Sequence, residues 1–167
     1  MLVALADTHA RESTNLEGRT REAVAEAETV IHAGDFTTEA VYEAFDSICD
    51  VRAVVGNNDR ELLDRLPEER VVEHRGFRIG VVHGHRHSQT ALSLFARQSN
   101  ADLVVFGHSH RPEVRDEEIP LVNPGSHADP RRYRPGHAEM EVDGETLYGR
   151  LVDPSGNEHE TFAVGRR

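Results

Sequence analysis

Apolar positions along the chain fall into short runs separated by amphipathic stretches. Leu2 to Ala6, Thr29 to Ala33, Arg52 to Val55, Val71 to Glu73, Arg78 to Val82, Leu103 to Phe106 and Leu121 to Val122 read as strands. Each is short, rich in branched or aromatic residues, and flanked by turn-forming or charged positions. Helical spacing of apolar residues predicts helices over Arg19 to Ala27, Glu39 to Asp46 and Gln89 to Gln98. The first half is therefore expected to run β-α-β-α-β, the order of an α/β fold. After Pro135 the pattern changes: "HAEMEVDGETLYGRLVD" alternates with period two on both sides of Asp143-Gly144, which predicts an antiparallel hairpin. No repeat, low-complexity tract or Ser/Pro-rich linker divides the chain, so residues 1–167 are expected to form a single domain.

Two of the apolar runs end alike. "VVHGHRH" at 81 to 87 and "VVFGHSH" at 104 to 110 each stop at a strand end and present histidines around a glycine. The glycine allows a sharp turn, so the histidines are expected on strand-end loops, where α/β folds commonly bind ligands.

Composition narrows the chemistry. With 167 residues and 37% hydrophobic positions the chain can bury a core, and it has no apolar run of membrane-spanning length. "MLVALAD" is too short for a signal peptide and has no basic residue before it, so it is expected to be the first strand of a cytoplasmic protein. Cys49 is the only cysteine, which removes intrachain disulfides and thiolate clusters from consideration. Thirty Asp and Glu stand against 19 basic residues, a net charge of -11, and every basic residue is arginine. An acidic surface without lysine suits concentrated salt, because carboxylates bind water strongly while the lysine stem exposes apolar area. A halophilic cytoplasm is the preferred explanation, and codon bias toward arginine the alternative. Nucleic acid is disfavoured as a partner, since phosphate-backbone affinity needs clustered positive charge.

The strand ends collect a ligand set. They carry Asp7-Thr8-His9, Gly34-Asp35, Gly56-Asn57-Asn58-Asp59, His83-Gly84-His85 and Gly107-His108-Ser109-His110. Carboxylate, amide oxygen and imidazole together suit divalent first-row ions such as Mn, Fe, Ni or Zn, and the mixed set suggests a pair of them.

In this order, D-x-H, G-D, G-N-x-D, H-G-H and G-H-x-H resemble the calcineurin-like metallophosphoesterases. The short length and "NPGS" at 123 to 126 are similar to their small single-domain bacterial and archaeal phosphodiesterase branch. The resemblance runs from Leu2 to about Ser126. It implies an α/β fold of two facing mixed β-sheets flanked by helices, a four-layer sandwich with a dinuclear metal centre at the strand ends. It also implies that Asp7, His9 and His110 hold one ion, that Asn57, His83 and His108 hold the other, and that Asp35 bridges them. The expected cofactor is two divalent ions, foremost Mn2+, with Ni2+, Fe, Co2+, Zn2+ or Mg2+ as alternatives. Such a centre hydrolyses phosphate esters with a shared hydroxide, and no other cofactor is expected.

One position departs from larger members of the family. Where they carry a histidine that protonates the leaving alcohol, this chain has Asn58, and an amide is no general acid. His85, two residues after His83, is the nearest replacement, with an exposed or supporting role equally open; Asp35 and Asn57 complete the expected catalytic set. Asp59 is expected to cap a helix starting at Arg60 and to orient the Asn57 loop through the backbone. Arg131 and Arg132 either clamp a substrate phosphate or face solvent, while Thr8 and Ser109 satisfy backbone groups. His32, His74, His127, His137 and His159 lie off the motifs and receive no role.

The favoured function is a metal-dependent phosphodiesterase acting on a small phosphate ester. A phosphomonoesterase or nucleotide phosphatase using the same centre, and a non-catalytic metal-binding scaffold, are the alternatives. A nuclease has no basic stripe to support it. Membrane partners are not expected, and homo-oligomerisation is left open.

Overall fold

The computed structural model describes residues 1–167. β1 (Leu2–Leu5), β2 (Thr29–His32) and β3 (Val51–Ala53) lie parallel, linked by α1 (Gly18–Glu26) and α2 (Glu39–Asp46). β4 (Glu69–His74) and β5 (Phe77–Val82) form a hairpin, and α3 (Gln89–Gln98) leads from β5 to the parallel strand β6 (Leu103–Phe106). β7 (Glu113–Arg115), β8 (Leu121–Asn123), β9 (His137–Asp143), β10 (Thr146–Val152) and β11 (Glu158–Gly165) complete the chain. They make a six-stranded sheet in the order β11-β10-β9-β1-β2-β3 and a five-stranded sheet in the order β4-β5-β6-β8-β7. Both sheets are mixed, as expected.

The period of two along each strand sorts the layers. Leu2, Ala4 and Ala6 of the first strand point into a core shared with Ile79, Val81, Leu103 and Val105 of the other sheet. Val3 and Leu5 point the opposite way, onto Val24 of α1 and Val41 and Phe45 of α2. On the far side Val82, Val104 and Phe106 meet Leu92, Phe95 and Ala96 of α3. The result is helices, sheet, sheet, helix. Strands buried on both faces read as unbroken apolar runs, which is why β1, β2 and β6 are plain in the sequence.

Some boundaries differ from expectation. β3 ends at Ala53: Val54 N–H still donates to His32 O of β2 at 3.2 Å, but Val55 N–H turns away to Pro67 O at 2.9 Å. β7 and β11 have no clear sequence signal: both lie at sheet edges, and β11, "EHETFAVG", is largely polar. The C-terminal hairpin forms, but Asp143 pairs with Thr146, so the two-residue loop is Gly144-Glu145. Gly144, at φ 58°, supplies the left-handed turn. No helix is long and apolar enough to cross a membrane.

Candidate metal centre

The C-terminal ends of β1, β2, β5 and β6 face one place, together with the loop that follows β3. This is where parallel strands deliver their loops, and Asp7, His9, Asp35, Asn57, His83, His108 and His110 gather there. Asp7, His9 and His110 form one convergent donor set, and Asp7, Asp35 and His83 a second, each with its ligand atoms within 4.8 Å of one another. Asp7 belongs to both sets, and Asp35 Oδ2 reaches across them, 3.2 Å from His9 Nε2 and 3.4 Å from His83 Nε2. Asn57 Oδ1 lies 3.1 Å from both His83 Nε2 and His108 Nδ1. His85 stands at the rim, its ring 5.4 Å from that of His83 and 6.2 Å from that of His108.

The loops reach this arrangement through unusual backbone. Asp7, His9, Asp35, His108 and His110 all have φ between 46° and 69°, the left-handed region that ordinary residues avoid. Each such residue costs about 1–2 kcal/mol, a strain typical of functional loops. Glycines give the room: a side chain at Gly56 would overlap the Asp35 carboxylate, and one at Gly107 would stand 3.0 Å from Asp7 Oδ2.

Hydrogen bonds then fix the donors. The Asp35 carboxylate accepts from Asn58 twice, from its backbone N–H at 2.8 Å and from its amide at 2.7 Å. Asp59 does not cap the 3-10 turn Arg60–Leu62 through its side chain. Its carboxylate is drawn instead to three closer donors, the backbone N–H groups of Asp35, Gly56 and Thr37, at 2.7 to 2.8 Å. It thus binds the Asp35 loop to the Asn57 loop. His32, fully buried, accepts from Gly34 N–H at Nδ1, so its Nε2 carries the proton and donates to Thr8 Oγ1 at 2.8 Å. That ring ties the Asp7-Thr8-His9 loop to the loop of Asp35. Ser126 Oγ donates to Asp7 O at 2.6 Å, and Asn123 Nδ2 donates to Gly107 O at 2.9 Å. The hold of Asp59 on the Asn57 loop was expected from sequence; the roles of Asn58, His32, Asn123 and Ser126 were not, and their only signal was nearness to the motifs.

The electrostatics call for a cation. His83 Nδ1 must donate to Ala33 O, 2.8 Å away, which turns Nε2 toward Asn57 Oδ1 and Asp35 Oδ2; burial presses its pKa down, but Asp35 and Asp7 outweigh burial and raise it, so positive charge is favoured there. Lone pairs facing lone pairs repel unless a proton or metal ion lies between them. His110 Nδ1 likewise donates to Asp129 O, aiming Nε2 at Asp7 Oδ1, 3.7 Å away. Burial pushes the pKa of His110 down, which disfavours a proton on that ring. Asp7 Oδ2, His9 Nε2 and His110 Nε2 are buried without hydrogen-bond partners. Burial, reinforced by the Asp35 charge against the pull of His83 and His9, raises the Asp7 pKa to about 7. Asp35 moves the other way: burial is the largest influence and works upward, but His83, His9 and Asn58 outweigh it and hold the carboxyl well below its usual range. Hard and borderline donors in this number fit divalent ions.

The comparisons agree with the chemistry. A metallophosphoesterase-named protein of Methanothermobacter thermautotrophicus is 29% identical over 157 residues, 91% of each chain. A phosphodiesterase of Methanocaldococcus jannaschii is 30% identical over 112 residues, 59% of this chain and 66% of that one. The zinc complex of Vps29 from Entamoeba histolytica superposes with a TM-score of 0.77 at 20% identity, covering 99% of both chains, which shows the shared fold. Residues 1–145 match the calcineurin-like phosphoesterase superfamily domain, and the chain belongs to that family.

Proposed function

We propose that residues 1–167 act as one phosphodiesterase domain with a dinuclear centre, in which Asp7, His9 and His110 hold one ion, Asn57, His83 and His108 the other, and Asp35 bridges them. The observation that carries this reading is Asp35 Oδ2 standing between His9 and His83 while Asn58 grips the same carboxylate. Two divalent ions bound there, foremost Mn2+, would supply a water acidified toward neutral pH and positive charge opposite the phosphate oxygens. The chain itself does the rest. Asp35, kept anionic, fixes the spacing of the two donor sets; Asn57 sets its oxygen between two imidazoles; His32 and Asp59 stop the loops from parting. No side chain here is placed as a covalent nucleophile. The proton for the leaving alcohol has no strong source: Asn58 cannot give one, and His85, nearest by position, has its pKa lowered by burial and by His83. Good leaving groups should therefore be favoured. The name of the archaeal phosphodiesterase relative supports the diester over the monoester, and the acidic composition fits work in a salt-rich cytoplasm.

A panel of aryl diesters, aryl monoesters and nucleotides, run with each candidate metal, tests the proposal. Diesters should be cleaved fastest, with rates falling steeply as the leaving alcohol becomes more basic. Faster monoester cleavage would make the protein a phosphomonoesterase, and a flat leaving-group dependence with bond cleavage rate-limiting would reveal a strong acid. His85→Ala would then steepen it.

A further inference from the structure

The segment after β8 does more than brace the centre. Ser126 Oγ accepts from Asp129 N–H at 2.8 Å, and the Asp129 carbonyl accepts from His110 Nδ1. Two residues on, the chain turns through Arg131 at φ 52°, a left-handed conformation with no glycine to ease it. That turn sets Arg131, Arg132 and Tyr133 against Ser109, and the four enclose a depression of about 380 Å³. Ser109 is the residue between His108 and His110, so the depression lies beside these two candidate ligands.

Its walls are made of donors. Ser109 Oγ accepts from Asn123 Nδ2 at 3.0 Å and from Arg111 N–H at 3.3 Å, which leaves its hydrogen free to donate. Most arginines on this acidic chain meet carboxylates closely: Arg65, Arg75 and Arg97 have partners at 2.6 to 2.8 Å. Arg131 has only Asp129, at 4.0 Å. Arg132 has no carboxylate partner; its Nη2 donates to Tyr133 Oη at 3.1 Å, and its guanidinium lies 5.3 Å from the Tyr133 ring. Two guanidiniums without a close carboxylate to neutralise them thus stand beside the candidate metal centre. A planar fork of N–H donors matches phosphate oxygens.

We propose that Ser109, Arg131, Arg132 and Tyr133 form a second anion subsite, and that the substrate is a phosphate ester carrying another phosphoryl group beside the scissile one. The inference rests on the metallophosphoesterase reading above. The second phosphate gives up water for the two guanidiniums and the Ser109 hydroxyl, while the scissile phosphate occupies the centre. Selectivity then comes from the loop after β8, outside the motifs shared with the family.

Calorimetry on the full-length, Mn2+-loaded protein tests this with AMP and adenosine 3′,5′-bisphosphate as probes. The second phosphate should tighten binding about tenfold or more, and the advantage should shrink to under about twofold in Arg131→Ala/Arg132→Ala. Both side chains are exposed, so the variant is expected to fold. Arg131→Lys/Arg132→Lys should keep part of the advantage, since charge remains without the fork. If the native protein cleaves aryl diesters but does not distinguish the probes, or if the double alanine variant retains the full advantage, the subsite is overturned alone. If the metal-loaded protein cleaves no aryl phosphate ester, the metallophosphoesterase reading falls and takes the subsite with it.

Discussion

Asn58 illustrates how a single side chain changes meaning once its contacts are known. It stands where larger relatives have an acid, yet its amide and backbone N–H both hold Asp35. Replacing it with histidine would therefore remove a grip on the proposed bridge as well as install a proton donor. Asp35 itself gives the sharper prediction. Asp35→Asn keeps the shape of the side chain but sets an amide against the Asn58 donors and removes the negative charge between two imidazoles. Turnover should fall by at least about 100-fold, with fewer than two ions retained and the melting temperature little changed. Near-normal turnover with two ions bound would show that Asp35 is no bridge; metal analysis beside a rate assay decides it. The candidate ligands were legible because carboxylates and imidazoles at strand ends have few other uses. Most residues that brace them were not, because His32 and Ser126 act through backbone groups whose partners only folding brings near. His32, assigned no role from its position in the sequence, turns out to join two motif loops.

At the scale of elements, α1 is fastened to the six-stranded sheet by one buried carboxylate. Glu139 of β9, 3% exposed, accepts from Arg19 of α1 at 2.7 and 2.9 Å, from Arg150 of β10 at 2.8 Å, and lies 3.0 Å from His137 Nε2. His137 in turn meets Thr20 of α1 at 3.0 Å. Burial is the largest influence on Glu139 and works upward, but His137, Arg19 and Arg150 together hold its pKa well below the ordinary 4.5. A carboxyl depressed in the folded state stabilises the fold fully above its unfolded pKa, and that contribution drains away as pH falls below about 4.5 toward the folded value. Glu139→Gln should therefore cost about 3 kcal/mol near neutral pH, and the difference from the native chain should narrow in acid. Denaturant unfolding at pH 7 and at pH 4 reads both; an unchanged gap would remove the ionised carboxylate from the account. β1 and β2, which flank α1, were plain in sequence because both their faces are buried. β7 and β11 were hidden because an edge strand needs little apolar surface, so β11 carries Glu158, Glu160 and Thr161 in its ladder.

Across the whole molecule, charge dominates. Thirty carboxylates against 19 guanidiniums leave a net -11 on a chain of 167 residues. Exposed pairs such as Arg65 with Glu39 and Glu43 relieve this locally, but each is worth only about 0–1 kcal/mol. The excess negative charge repels over a Debye length of about 30 Å at 0.01 M salt and about 3 Å at 1 M. The melting temperature of the metal-loaded protein should therefore rise from dilute buffer to molar KCl, since screening removes more net repulsion than attraction. Activity should persist there, because the candidate centre binds through short, buried contacts. A lower or equal melting temperature at molar KCl would leave arginine codon bias as the explanation for the missing lysines.

This cluster should hold two ions and need both to cleave a phosphate diester. Titrating metal-free protein with Mn2+, while following bound ions and hydrolysis of bis(p-nitrophenyl) phosphate in the same samples, tests it most directly. Binding should saturate at two ions per chain, with turnover appearing as the second site fills. Saturation at one ion with full activity, or two bound ions with no hydrolysis, would rule out a dinuclear phosphodiesterase centre.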